Sequence, residues 1–320
     1  MAEVNVDLGG TWLRISSDAG RVVLLAPSGL HHPGTSAGEL IDLLVEQLAE
    51  HVPFGASVAM SVGAAMDETD QVVHGSGPLW GGGLAEPVRL RDLLVARRPD
   101  VSWFLVNDLT AGLADFAGRY GTPGVRRVAY LSVGSGIALR TADLRTGTIA
   151  VDSQGLQGEV GHLRAVSDLP LGELRCPCGG LGHVSAVSAG PAIGEVARVL
   201  GIEWDVVDEF SARLTEDYPD ARALLTVIVG PVAELIRAAW AFDPWLDLVG
   251  VGGGVAENLR PFYGDELARQ VSEVRSYADR VPVADRLRVL GPDEIDVLAG
   301  ARRMAEGALR VTKNEEVLQW

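Results

Sequence analysis

The sequence predicts an α/β protein built in two halves. Three observations carry that reading. Apolar runs of strand length alternate with amphipathic stretches of helical period. Each half opens on a strand that runs into a glycine turn. A length of 320 residues is also enough to bury two cores rather than one. With 47% hydrophobic residues and 39 glycines, the composition suits a globular fold with many tight turns.

Residues 2–7 alternate in polarity and run into Gly9-Gly10-Thr11, which predicts a strand entering a hairpin. Residues 12–16 form the returning strand and 21–25 a third. Leu40, Leu43, Leu44 and Leu48 share one face of a helix over 36–51. Residues 56–62 read as a buried strand stopped by Gly63. A helix over 90–96 precedes a strand over 101–106, whose C-terminal end presents Asn107 and Asp108. Residues 110–119 are helical until the segment 120–124 breaks the chain. The plan then repeats. A strand over 128–133 meets Gly134-Ser135-Gly136, and 137–144 returns from it. Helical runs follow at 191–200, 205–215 and 221–240. A buried strand over 246–251 enters Gly252-Gly253-Gly254. A helix near 259–274, a short strand over 287–290 and a closing helix over 293–307 complete the pattern. The expected domains are 1–118, completed by a C-terminal helix within 293–320, and 119–292.

Formal charge is −16, and Lys313 is the sole lysine. Such a surface repels a phosphate backbone, so nucleic acid is not an expected partner. Any nucleotide phosphates must be held by backbone N–H groups, metal ions or arginine. No uninterrupted apolar run approaches the roughly 18 residues that suggest a membrane span. Cys176 and Cys178 stand one residue apart, a poor disulfide framework, and a reducing cytoplasm is the simpler setting.

Six motifs, with Trp80 beside them, carry chemistry. In Asp7-Leu8-Gly9-Gly10-Thr11 the glycines let a turn approach a phosphate, Thr11 offers a hydroxyl donor, and Asp7 is placed to hold a hydrated Mg2+ ion. A plain hairpin accounts for the same residues. Gly134, Ser135 and Gly136 repeat the device, and Gly252, Gly253 and Gly254 leave room for an adenine ring and ribose. Asp108 at a strand end is a candidate general base for an attacking alcohol, with Asn107 beside it; the same pair suits a helix N-cap. Glu159 and His162, three residues apart, face one pocket if their turn is tightly curled. His162, Cys176, Cys178 and His183 make a two-nitrogen, two-sulfur set suited to a closed structural Zn2+ site, the alternative being a metal-free loop. Trp80, ahead of Gly81-Gly82-Gly83, offers either a sugar-stacking wall or a core side chain.

These six motifs, in this order along nearly the whole chain, resemble the ROK family of bacterial repressors and sugar kinases: Asp7–Thr11, Asn107-Asp108, Gly134–Gly136, Gly158–His162, Cys176–His183 and Gly252–Gly254. The resemblance implies the two-domain actin-like ATPase (ribonuclease H-like) fold, with ATP and Mg2+ as phosphoryl donor and metal and a hexose-like primary hydroxyl as acceptor. It implies Asp108 as base, Asn107, Glu159 and His162 as ligands of sugar hydroxyls, and His162 as a zinc ligand too. Two departures are notable. His183 stands where the family has a third cysteine. Ser185 stands where its sugar kinases carry a glutamate that contacts the sugar. The loss of that carboxylate shifts the expected acceptor from glucose towards an amino sugar, a cyclitol or another modified hexose, with glucokinase and a non-catalytic sugar-binding protein as alternatives. The family's regulators carry an N-terminal DNA-binding domain, which is not expected here. A cytoplasmic homodimer is.

Overall fold

The computed structural model describes residues 2–166, 169–273 and 281–313. By its internal contacts the chain divides into two compact units. Met1–Tyr120, Thr146–Gln157 and Asp296–Trp320 make the first; Gly121–Arg145 and Gly158–Ile295 make the second.

The first unit is built on β1 (Glu3–Leu8), β2 (Trp12–Ser17), β3 (Gly20–Leu25) and β4 (Ser57–Val62). A small antiparallel sheet follows, of β5 (Ala65–Asp67), β6 (Val72–Ser76) and β7 (Gly82–Val88), and then comes β8 (Ser102–Asn107). The main sheet runs β3-β2-β1-β4-β8, antiparallel across the hairpin and parallel from β1 to β8. Alternate residues Val4, Val6, Leu8, Leu13 and Ile15 fill the core beneath it. The helix Ala37–His51 lays Leu40, Ile41, Leu44 and Leu48 into that core. It starts on a capping box in which Ser36 and Glu39 satisfy each other's backbone N–H groups.

The second unit opens with β9 (Arg127–Val133) and β10 (Ile137–Asp143), an antiparallel hairpin. The first unit then takes β11 (Thr148–Val151). Back in the second unit, β12 (Leu246–Gly252) pairs parallel with β9, and β13 (Leu287–Val289) parallel with β12. Finally β14 (Arg310–Lys313) pairs parallel with β11. The second unit's strands thus run β13-β12-β9-β10, the same plan as β8-β4-β1-β2 in the first. Its long helix Pro219–Phe242 has the length and apolarity of a membrane span, but it buries Leu224, Leu225, Ile228, Val232 and Ile236 in the unit's own core.

Several expectations are corrected. The closing helix is Val297–Ala305, not 293–307 or a helix filling 293–320. Asp296 caps its start, Gly307 turns the chain at φ +81°, and strand β14 follows. Residues 314–320 lie outside the described residues. Residues 146–157 belong with the first unit rather than with 119–292, because β11 pairs with β14. The helix placed near 259–274 is Phe262–Glu273, and a separate helix, Gly254–Asn258, begins on the third glycine; residue 274 is outside the described residues.

Candidate active site

In the first unit, β1 and β2 are joined by the expected turn, closed by the Gly9 N–H donating to Trp12 O at 3.0 Å. Gly10 packs so closely on Pro78 that a Cβ there would lie 2.5 Å from the proline Cβ. That contact brings the segment 77–80 against the turn. Asp7, 5% exposed at the end of β1, accepts from the Arg14 guanidinium at 2.7 Å. Burial nevertheless pushes its carboxyl above the usual range, with the Asp296 carboxylate adding to the effect and Arg14 opposing it. The sole lysine, Lys313, bridges Asp67 and Asp70 at 2.5 and 2.6 Å.

Asp108 is the first residue of the helix Asp108–Tyr120, and it is exposed. Its Oδ1 accepts from the Leu109 N–H at 2.8 Å. Asn107 is buried and caps the same helix: Oδ1 accepts from Leu109 and Thr110, while Nδ2 donates to Ala64 O at 2.7 Å. The turn at Gly63-Ala64 is a junction. Its Gly63 N–H donates to Leu8 O, and Ser76 Oγ donates to Gly63 O. Ser76 Oγ also accepts from Leu79 N, starting the short helix Gly77–Trp80. Hydrogen bonds therefore link the Asp7–Thr11 turn, Asn107 and the segment around Trp80. Trp80 itself packs, partly buried, on the first unit's core.

Sequence reasoning passed over the loop that follows β3. Thr11 O accepts from Ala26 N and meets His31 Nε2, each at 3.0 Å, and Gly29 N donates to Leu79 O. Adjacent histidines in a loop rich in Pro, Ser and Gly, just after a strand paired to β2, were the available signal.

In the second unit the Gly134–Gly136 turn closes β9 onto β10, with Gly134 N donating to Gly136 O at 3.0 Å. Gly252 lies in register with Ser132 on the neighbouring strand, so both glycine motifs stand at adjacent strand ends. Gly253 adopts φ +92° with Val133 O 2.7 Å from where a Cβ would be, a position that excludes other side chains. Its N–H donates to Glu257 Oε1.

Glu159 precedes and His162 ends the short 3-10 turn Val160–His162, and both are exposed. Glu159 Oε2 lies 3.7 Å from His162 Nε2, whereas His162 Nδ1 faces Cys176 Sγ at 3.8 Å. Cys178 Sγ stands 3.3 Å from His183 Nδ1, and the four donor atoms lie within 4.8 Å of one another. Tetrahedral Zn–S and Zn–N bonds place such atoms about 3.6 Å apart, so the donor set fits a metal ion. The scaffold around the four ligands is hydrogen-bonded through the protein backbone. Cys176 N donates to Gly180 O, and Gly179 N to Cys176 O. Ala165 N→Gly182 O and Val184 N→Leu163 O hold the two histidine-bearing segments together. Burial, together with the neighbouring Cys178 thiol, pushes the Cys176 thiol pKa up. Ser185 is buried, its Oγ 2.3 Å from where a Cβ on Gly161 would lie.

A hairpin-led α/β unit repeated twice, with glycine turns at the strand ends, is the plan of the two-domain actin-like ATPase fold. No family model matches the chain. It is 40% identical over 325 residues to 2-epi-5-epi-valiolone 7-kinase of Actinoplanes sp., covering 92% of this chain and 90% of that protein. It is 32% identical to C(7)-cyclitol 7-kinase of Streptomyces hygroscopicus subsp. jinggangensis, covering 97% of each. Among solved structures, the ROK hexokinase of Thermus thermophilus superposes with a TM-score of 0.65 at 21% identity, over 94% of this chain and 96% of that one. The chain belongs to the ROK family, among its kinases.

Proposed function

We propose that the chain transfers the γ-phosphoryl of ATP to the primary exocyclic hydroxyl of a C7 cyclitol. The observation that carries the mechanism is Asp108, an exposed carboxylate fixed at the head of a helix and joined through Asn107 and the Gly63-Ala64 turn to the Asp7–Thr11 turn. As the acceptor oxygen attacks phosphorus, Asp108 takes the hydroxyl proton, and the bond to the ADP leaving group breaks. The Gly10 and Thr11 N–H groups and the Thr11 hydroxyl donate to phosphoryl oxygens. Gly134, Ser135 and Gly136 suit phosphate oxygens, and Gly252, Gly253 and Gly254 suit the nucleoside. Asp7 suits a water-mediated hold on Mg2+, which would neutralise charge on the phosphates, since Arg14 already takes its Oδ2. Glu159 and His162 Nε2 bind acceptor hydroxyls. Asn107, with Oδ1 committed to the helix cap, has its second Nδ2 hydrogen for the same task. Trp80 lines the acceptor wall.

The acceptor class rests on the names of the two similar cyclitol kinases and on Ser185 in place of a carboxylate. Buried against Gly161, Ser185 shapes the pocket more than it reaches into it. His162 Nδ1, Cys176, Cys178 and His183 would hold one structural Zn2+ that fixes the Glu159 turn. The acidic surface does not favour nucleic acid, and reduced cysteine ligands suit the cytoplasm. A homodimer is the proposed assembly, checked by light scattering.

The test compares kcat/KM for 2-epi-5-epi-valiolone, related C7 cyclitols, amino sugars and glucose with Mg-ATP. A preference for glucose would return the assignment to glucokinase, and no turnover with any acceptor would leave a binding protein. Asp108→Asn should lower kcat by about 10²–10⁴-fold with acceptor binding retained; normal turnover would reject Asp108 as base.

A further inference from the structure

We infer that His31 is a positioning residue for phosphoryl transfer, acting through the Thr11 carbonyl. The inference rests on the proposal that the Gly9–Thr11 turn holds the transferred phosphoryl. A carbonyl oxygen only accepts, so at the 3.0 Å contact His31 Nε2 is the donor, which fixes the ring's tautomer when neutral. Thr11 O takes a second bond from Ala26 N at 3.0 Å. Two donors on one oxygen set the plane of the Thr11–Trp12 peptide, and with it the direction in which the Thr11 side chain leaves the turn.

That constraint matters because the turn has few outward donors. The Gly9 N–H closes the turn on Trp12 O, so Gly10 N–H, Thr11 N–H and the Thr11 hydroxyl remain for a phosphoryl group. Two cations of the same unit are already paired: Lys313 with Asp67 and Asp70, and Arg14 with Asp7. Catalysis by a neutral cradle depends on its dipoles being aimed before the charge develops. His31 also sits on the loop whose Gly29 N–H donates to Leu79 O at 2.8 Å, beside Trp80. One loop thus braces the turn from one side and the acceptor wall from the other. His31 is half-buried, within reach of the turn yet outside the hydrophobic core.

The experiment measures kcat, KM for ATP and KM for the acceptor in His31→Ala, His31→Gln and Thr11→Ala, with melting temperature recorded for each. His31→Ala should lower kcat about tenfold and raise KM for ATP, leave acceptor KM within twofold, and melt near the parent temperature. His31→Gln, whose side-chain amide can donate to the same carbonyl, should recover most of the loss. An unchanged kcat in His31→Ala, or a His31→Gln variant as impaired as His31→Ala, overturns the inference. If Thr11→Ala leaves ATP kinetics intact, the reading of the turn fails first. If Thr11→Ala is impaired while His31→Ala is not, only the role of His31 fails.

Discussion

Asp7 sets stability against function in one side chain. Burial raises its pKa in the fold, so the folded protein binds a proton there more readily than the unfolded chain. By linkage, the stability that protonation contributes is complete below the unfolded value of 3.8 and is lost as pH rises through the folded pKa. At neutral pH the ionised carboxylate is therefore a strained element of the fold, eased by Arg14. Asp7→Asn, which can still accept from Arg14, should raise the melting temperature at pH 7–8 by a few degrees and lower activity sharply. The gain should shrink as pH falls towards 4. A variant less stable than the parent at neutral pH would show that the Arg14 pair outweighs burial. Residue types and spacing marked Asp7, Asp108 and Glu159 as candidates and picked out His162, Cys176, Cys178 and His183, whose donor atoms the fold brings within 4.8 Å of one another. What spacing could not give was the direction of side chains. Asn107 caps its helix, a reading the sequence offered, but its Nδ2 bond to Ala64 O and the burial of Ser185 against Gly161 are made with residues distant in sequence. His31 was missed for the same reason, since its partner lies 20 residues earlier.

Elements set by local pattern were readable; those set by distant pairing were not. The capped helix Ala37–His51 and the hairpin strands β1, β2, β9 and β10 follow from periodicity and glycine turns. Strands β11 and β14 are short and find each other across more than 150 residues, which no local window reveals. The closing helix Val297–Ala305 shows how such long-range contacts act. Its Gly300 lies so close to the helix Asp108–Tyr120 that a Cβ would sit 1.9 Å from Ala111 O. Asp115, fully buried on that helix, accepts from Asp296 N at 2.9 Å and from Arg119 at 2.6 Å. It thereby ties the last turn before the chain leaves the first unit to the residue at which it returns. Gly300→Ala should cost roughly 1–3 kcal/mol by overpacking against backbone that cannot yield. Asp115→Ala should cost about the same by leaving the Asp296 N–H unpaired in a partly buried setting. Denaturant melts with an unchanged m-value would check both, and an unaltered midpoint in either would count against this packing.

At the scale of the molecule, two units carry one strand plan, β8-β4-β1-β2 and β13-β12-β9-β10, without a sequence repeat. The glycine turns were the legible trace of it, because positions as tight as Gly10 on Pro78 or Gly253 at φ +92° tolerate few residues, whereas core positions accept many. Two cores also mean that a local perturbation need not unfold the whole chain. The proposed zinc site gives the sharpest test. Its ligands come from residue 162 and the segment 176–183, loops of short turns and isolated bridges rather than long helices or strands, so a metal there would add to the local order that their backbone bonds supply. Elemental analysis of protein purified without added metal should find one Zn2+ per chain, and His183→Ala should lose it while His183→Cys keeps it. Chelation should speed hydrogen exchange across residues 159–185, raise acceptor KM through the loosened Glu159 turn, and leave exchange in β1, β4 and β8 unchanged. Protein that carries no zinc, or stripped protein whose exchange over 159–185 matches the untreated sample, would rule the site out; faster exchange in all strands together would show instead that the two cores unfold as one.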